Sequence, residues 1–285
     1  MGIVIYRNQN EEKKDSWIKY FLGRIKQNKN NLIVVVGKTG SSKTWSSISI
    51  CEKISKRNNV PFLIDNIVFN LEDLMRFINS EKAVKGASII FDEPQISISS
   101  REWQSKANRV FNYLLTTFRH RNLNLFFCSP YEDLLDKSTR KLFHAKFKTV
   151  SINHKSKTAK LKPKILEYNS QKGKFYEKFL RICFKPKGKT KYRTVKLEYW
   201  EVPKPSLELI KQYETKKLRF TSKLNRDIEK ELKEYNKKKK TRPDVREQAE
   251  QLLKRLGSVA LVAAALGITR RGVNMRLAKG NPKKN

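Results

Sequence analysis

The sequence predicts an α/β fold: a parallel-sheet core, then a basic β-rich extension, then a small all-α unit at the C-terminal end. Three observations predict it. Residues 1–150 alternate short apolar runs with helical patterns, and the runs at 32–36, 88–91 and 123–127 read as strands buried on both faces. Residues 151–205 change to Lys-rich segments with strand patterning, separated by Lys, Gly and Asn turns. From Asp244 an alanine-rich helical segment begins.

Each element follows in order. A helix is expected over 44–56, directly after the first strand, and another from Leu71, with Asn70 as its N-cap and Asp73 in its first turn. A further helix is expected near 103–118, before the strand at 123–127. Beyond the 1–150 core, the segments 148–154, 159–169, 177–188 and 192–202 predict an antiparallel arrangement within the 151–205 extension. Pro203 and Pro205 then introduce a stretch of interleaved Glu and Lys, which with the basic run ending at Pro243 makes 206–243 a charged helical linker. Residues 244–285 form the last unit.

Charge restricts the partners. Lys plus Arg number 63 against 27 Asp plus Glu, a net charge of +36. Such an excess repels itself unless a polyanion offsets it, so nucleic acid is the leading partner and a merely solubilising lysine surface the alternative. No run approaches the ~20 apolar residues of a membrane span, and the N-terminal residues lack a signal peptide's apolar core, so the chain reads as cytoplasmic. Cys51, Cys128 and Cys183 are too scattered for a disulfide framework or a metal cluster and read as small hydrophobes.

The sharpest local signal is Gly37-Lys38-Thr39-Gly40-Ser41-Ser42-Lys43-Thr44, a Walker A phosphate loop in which Ser42 stands at the second glycine. A buried strand ends at Val36 and a helix begins at Lys43, so backbone N–H groups and the helix N-terminus face the phosphates. Lys43 would reach the β- and γ-phosphates of ATP and the Thr44 hydroxyl would ligate Mg²⁺. Ser42 matters if its position requires φ > 0. The strand at 88–91 leads into Asp92-Glu93, a Walker B pair: Asp92 would hold Mg²⁺ through water, and Glu93 would orient or deprotonate the attacking water. Together these specify a RecA-like P-loop NTPase core that hydrolyses ATP.

The acid pair is followed by the expected helix, by Arg119-His120-Arg121, by a strand running to Cys128 and Ser129, and by Asp136-Lys137-Ser138-Thr139-Arg140. Over roughly residues 30–150 this resembles the FtsK–HerA superfamily of motor ATPases, and is similar to Zot-type ATPases of filamentous phage and viral genome-packaging ATPases. The resemblance implies a γ-phosphate sensor at Ser129, where the family commonly has Gln. It also implies an arginine finger reaching a neighbouring subunit's ATP, from Arg119 first, then Arg121 or Arg140. A homo-oligomer follows, a hexameric ring among the arrangements. His120 and His144 are read as ordinary polar residues, and Trp45 and Trp103 as packing residues.

In the last unit, Val262, Leu266, Ile268, Val273 and Leu277 suit two helices packed across a turn at Gly267, with Ser258 and Thr269 as N-caps. This resembles a Fis-like helix-turn-helix, which implies that Arg270, Arg271, Asn274 and Arg276 face DNA; a hairpin for protein contacts is the alternative. The function expected is ATP-driven translocation, packaging or processing of plasmid or viral DNA. A regulator or replication initiator that uses ATP as a switch, without processive movement, is the rival, and a morphogenesis ATPase acting on protein is a third reading.

Overall fold

In the computed structural model, which describes residues 3–6, 15–93, 118–131, 140–184, 191–241 and 245–278, the apolar runs form a mainly parallel central sheet within a mixed α/β chain. β1 (Ile3–Tyr6) lies elsewhere. β2 (Asn31–Val36) sits between β5 (Asn124–Ser129) and β6 (Ala145–Asn153), and β5 is followed outward by β4 (Ser88–Asp92) and the short β3 (Ile67–Val68). All of these neighbours run parallel. β2, β4 and β5 are buried along their whole length, which explains why they carry no apolar–polar alternation.

Helices cover both faces. α1 (Ser16–Lys26) and α2 (Lys43–Asn58) pack on one, where the Trp17 ring meets Phe147 edge-on at 5.0 Å and Phe21 meets Phe126 at 6.1 Å. α3 (Leu71–Asn79) packs on the other, placing Leu74 and Phe77 in a cluster with Val34, Phe91 and Phe127. α3 starts where its cap directs: the Asn70 side chain accepts from the Asp73 N–H at 2.7 Å, satisfying one of the donors a helix start leaves over.

Register is pinned at the strands' N-terminal ends. Asn31 Nδ2 donates to Asn124 Oδ1 at 2.7 Å, and Asn124 Nδ2 donates to the Gly86 carbonyl at 2.9 Å. Asn31 and Asn124 are ladder partners, and so are Val36 and Ser129 at the other end.

β6 runs across residue 150 and continues the sheet into β7 (Thr158–Asn169), which pairs antiparallel with β6, with β8 (Lys174–Lys178) and with β11 (Trp200–Pro203). Core and later strands thus share one eight-stranded sheet. The β6–β7 register shifts between Thr149 and Ser151, a bulge at Val150. A second, three-stranded sheet joins β1 in parallel to β9 (Leu180–Phe184), with β10 (Arg193–Leu197) antiparallel on its other side. The pairing of β1 with β9 is not among the sequence expectations, because nothing local links segments so far apart.

α4 (Leu207–Thr241) is one helix of 35 residues. The chain divides into two compact units inside it, Met1–Lys217 and Leu218–Asn285. The second unit contains α5 (Val245–Leu256), α6 (Val259–Leu266) and α7 (Arg270–Ala278) around buried Ala249, Val262, Ala263 and Val273. Ser258 accepts from the Ala260 N–H at 3.3 Å, and Thr269 accepts from the Gly272 N–H at 3.1 Å. Gly267 closes α6 at φ +63°, a left-handed turn that suits glycine. The helix expected near 103–118 lies almost entirely outside the described residues, and no helix among those described is long and apolar enough to cross a membrane.

Candidate functional site

The C-terminal tips of β2, β5 and β4 end side by side, and the chain leaves them through the residues singled out in the sequence. After Val36 the loop makes a tight turn, the Ser41 N–H bonding the Lys38 carbonyl at 3.1 Å, and α2 starts at Lys43. Ser42 adopts φ +63°, the left-handed conformation that makes glycine the expected residue there. A serine holds that turn at a cost of about 1 kcal/mol.

Gly37 is required for a different reason. A Cβ at this position would lie 1.8 Å from Thr149 Oγ1 and 2.7 Å from Ser41 Oγ. Thr149, on β6 at the bulge, donates to Ser41 Oγ at 2.8 Å and lies 3.3 Å from the Val36 carbonyl, so a neighbouring strand braces the loop. This brace is absent from the sequence expectations.

Lys43 is buried, and its ammonium folds back to donate to the Lys38 carbonyl at 2.9 Å. Burial pulls its pKa below the ordinary lysine value, opposed by the nearby carboxylates of Asp92 and Glu93. Thr44 Oγ1 donates to Asp92 Oδ1 at 2.8 Å. Glu93 follows with φ +52°, its N–H bonded to the Cys128 carbonyl at 3.0 Å and its side chain one-third exposed. The structure therefore brings Lys43, Thr44, Asp92 and Glu93 to one edge of the sheet. The hydroxyl of Thr44 beside a carboxylate that is only 2% exposed is a hard-oxygen donor pair fitting Mg²⁺.

Ser129, at the tip of β5 between the loop strand and the acid strand, is buried and donates to the Tyr131 carbonyl at 2.8 Å. A phosphate contact would require its hydroxyl to leave that acceptor. Arg119 and Arg121 lie in the short turn Phe118–Arg121; Arg121 is exposed, and the Arg119 side chain is outside the described residues. Arg140 is half-buried, while residues 136–139 are outside the described residues. Arg270, Arg271 and Asn274 are exposed on α7, and the Arg276 side chain is outside the described residues.

Two further groups belong to the site. Tyr213 and Lys217 of α4 both reach Asp92 Oδ2, Tyr213 through its hydroxyl at 2.7 Å and Lys217 through Nζ at 3.2 Å. Lys217 also donates to Glu93 Oε1 at 3.2 Å. Burial and the Asp92 charge push the Tyr213 phenol well above its ordinary range. Burial alone would lower Lys217, but Asp92 and Glu93 outweigh it and hold the ammonium above its usual value.

Beside the loop opens a cavity of about 420 Å³, walled by Trp45 at the start of α2, His154 and Lys157 between β6 and β7, and Pro203 and Lys204 after β11. Trp45, read from the sequence as a packing residue, is half-buried and faces this cavity, with Lys204 Nζ 4.7 Å above its ring. The Lys204 N–H bonds the Lys157 carbonyl at 2.9 Å and ties the two walls together.

No family model and no curated protein matches the sequence. Among solved structures, the chain is similar to the N-terminal domain of zonular occludens toxin from Neisseria meningitidis, at 18% identity with a TM-score of 0.34. The match covers 53% of this chain and 95% of that one. The mainly parallel sheet and the residues at its tips carry the reading of the site.

Proposed function

We propose that this protein is an ATP-hydrolysing P-loop NTPase of the FtsK–HerA and Zot-like kind, which translocates, packages or processes DNA. One observation carries the reading: Lys43, Thr44, Asp92 and Glu93 converge at the tips of the two parallel strands that flank β5, with Thr44 and Asp92 in direct contact at 2.8 Å. Loop N–H groups and the α2 N-terminus hold the phosphates, and Lys43 leaves the Lys38 carbonyl to reach the β- and γ-phosphates. Thr44 and Asp92 would hold Mg²⁺, which neutralises phosphate charge when bound. Glu93 takes the proton of the attacking water, and Ser129 is proposed as the γ-phosphate contact once its hydroxyl leaves the Tyr131 carbonyl. The nucleobase enters the cavity beside Trp45.

Arg119 is proposed as a finger donated in trans, which makes the working form a homo-oligomer, a hexameric ring among the options. DNA is the proposed partner. The net charge of +36 supports it, as do the exposed Arg270, Arg271 and Asn274 of α7, with Arg276 beside them, in a unit read as a helix-turn-helix. That terminal unit equally suits an ATP-switched regulator held at a chosen site, without processive movement.

The test uses Lys43→Ala and Glu93→Gln. Lys43→Ala should abolish nucleotide binding, whereas Glu93→Gln should bind normally and turn over about 10²–10⁴-fold more slowly. Normal turnover in Glu93→Gln would remove that residue from the mechanism. DNA-stimulated hydrolysis without displacement of a roadblock would select the regulator.

A further inference from the structure

α4 begins on the α/β core and is fixed there by more than chain continuity. Ile210 and Tyr213 are buried, and the Tyr213 ring lies 6.2 Å from that of Phe69. Lys216 Nζ donates to the carbonyls of Ile64 at 3.0 Å and Ile67 at 2.6 Å, beside β3. Tyr213 and Lys217 are one helical turn apart, so they share a face, and that face is turned to the acid pair. Asp92 consequently has no vacant oxygen: Oδ1 accepts from Thr44, and Oδ2 accepts from both Tyr213 and Lys217.

An ammonium 3.2 Å from each of two carboxylates places positive charge beside Asp92, where the proposed metal would also place it. We infer that α4 is a working wall of the phosphate site, in which Tyr213 orients Asp92 and Lys217 keeps the place of the divalent cation until the metal displaces it. The displacement has a second effect, because the same ammonium holds Glu93. Metal arrival at Asp92 and the freeing of Glu93 for an attacking water thus become one event. Both are positioning roles, exerted through Asp92 and Glu93. The inference rests on the proposed function in taking Asp92 as the metal-holding acid and Glu93 as the acceptor of the water's proton.

The experiment is a nucleotide-free titration of the full chain with Mn²⁺, followed by the loss of its free spin-resonance signal. The proteins are wild type, Lys217→Gln, Lys217→Arg and the double variant Lys217→Gln/Asp92→Asn. A single and a double charge a few ångströms apart repel strongly enough, at an effective dielectric of about 20–80, to change affinity about tenfold or more. Lys217→Gln should therefore bind Mn²⁺ at least about tenfold more tightly than wild type. Lys217→Arg, which keeps the charge, should titrate like wild type, and the double variant should lose the gain. Lys217 is one-third exposed, so both single variants should stay folded, and a melting curve of the double variant checks that the change at buried Asp92 is tolerated. Equal titrations of wild type and Lys217→Gln, whether tight or barely detectable, overturn the inference and leave the nucleotide reading standing. If the gain appears but survives Asp92→Asn, the metal is not at Asp92, and the inference falls together with that part of the proposed function.

Discussion

Thr149→Val asks whether β6 braces the proposed phosphate loop. Valine keeps the branched shape and removes the hydroxyl that donates to Ser41 Oγ at 2.8 Å and faces the Val36 carbonyl at 3.3 Å. A net hydrogen bond is worth about 0.5–1.5 kcal/mol, and Ser41 is half-buried, so water can replace part of what is lost. The loss is therefore about 1 kcal/mol, a factor of about five in the population of the braced loop. If the nucleotide binds only that loop conformation, its affinity falls by up to the same factor. Fluorescent-nucleotide titration measures this, with Thr149→Ser as the variant that retains the hydroxyl and should stay within about twofold of wild type. The same affinity and melting temperature in Thr149→Val as in wild type would refute the brace.

His144 accepts from the Leu32 N–H at 3.1 Å, and burial pushes its pKa down to about 3. The unfolded chain binds the extra proton below pH ~6.5, so stability is full above that pH and falls as pH drops toward 3, by up to about 2 kcal/mol at pH 5. Denaturant midpoints at pH 7.5 and 5 should show this fall, with a smaller one in His144→Gln; equal falls would count against it. Arg270→Ala with Arg271→Ala should weaken DNA binding and lower the salt slope by up to about 2. An unchanged slope and site preference would take α7 out of the interface. Seating a purine in the cavity should move Lys204 off the Trp45 ring and change its emission, and Trp45→Phe should abolish that change. Loss of ring stacking in Trp45→Ala should weaken ATP binding about 2- to 12-fold, and unaltered binding would place the base elsewhere.

The parts of the site visible in the sequence are those whose chemistry is contiguous. The loop from Gly37 to Thr44 and the pair Asp92-Glu93 each follow a buried strand, so strand, turn and function are written in one stretch. The Ser42 departure also pointed to its left-handed backbone, and the Asn70 cap to the start of α3. Thr149 was not legible because its role depends on a bulge and on the parallel pairing of β6 with β2, neither of which has a local signature. Tyr213 and Lys217 lie in a helix whose Glu and Lys content reads as a solvated surface, and only the fold brings them to acids more than a hundred residues earlier. The cavity beside Trp45 was not legible because it is framed by the turns after β6 and β11, far along the chain from the third residue of α2.

The asparagine pair at the far end of the sheet has a consequence for how this site tolerates change. Extended strands are nearly inextensible, advancing about 3.3 Å per residue. Asn31 and Asn124 fix the origin of two such rods, and Val36 and Ser129 are where the rods stop. A slip of one residue at the asparagines would carry one strand tip past its neighbour by about the length of a hydrogen bond. It would also turn every side chain of that strand to the opposite face. Hydrophobic residues between the ends can be exchanged for others of similar volume without altering that alignment. The proposed phosphate site is therefore gauged from the opposite rim of the sheet, by two buried asparagines.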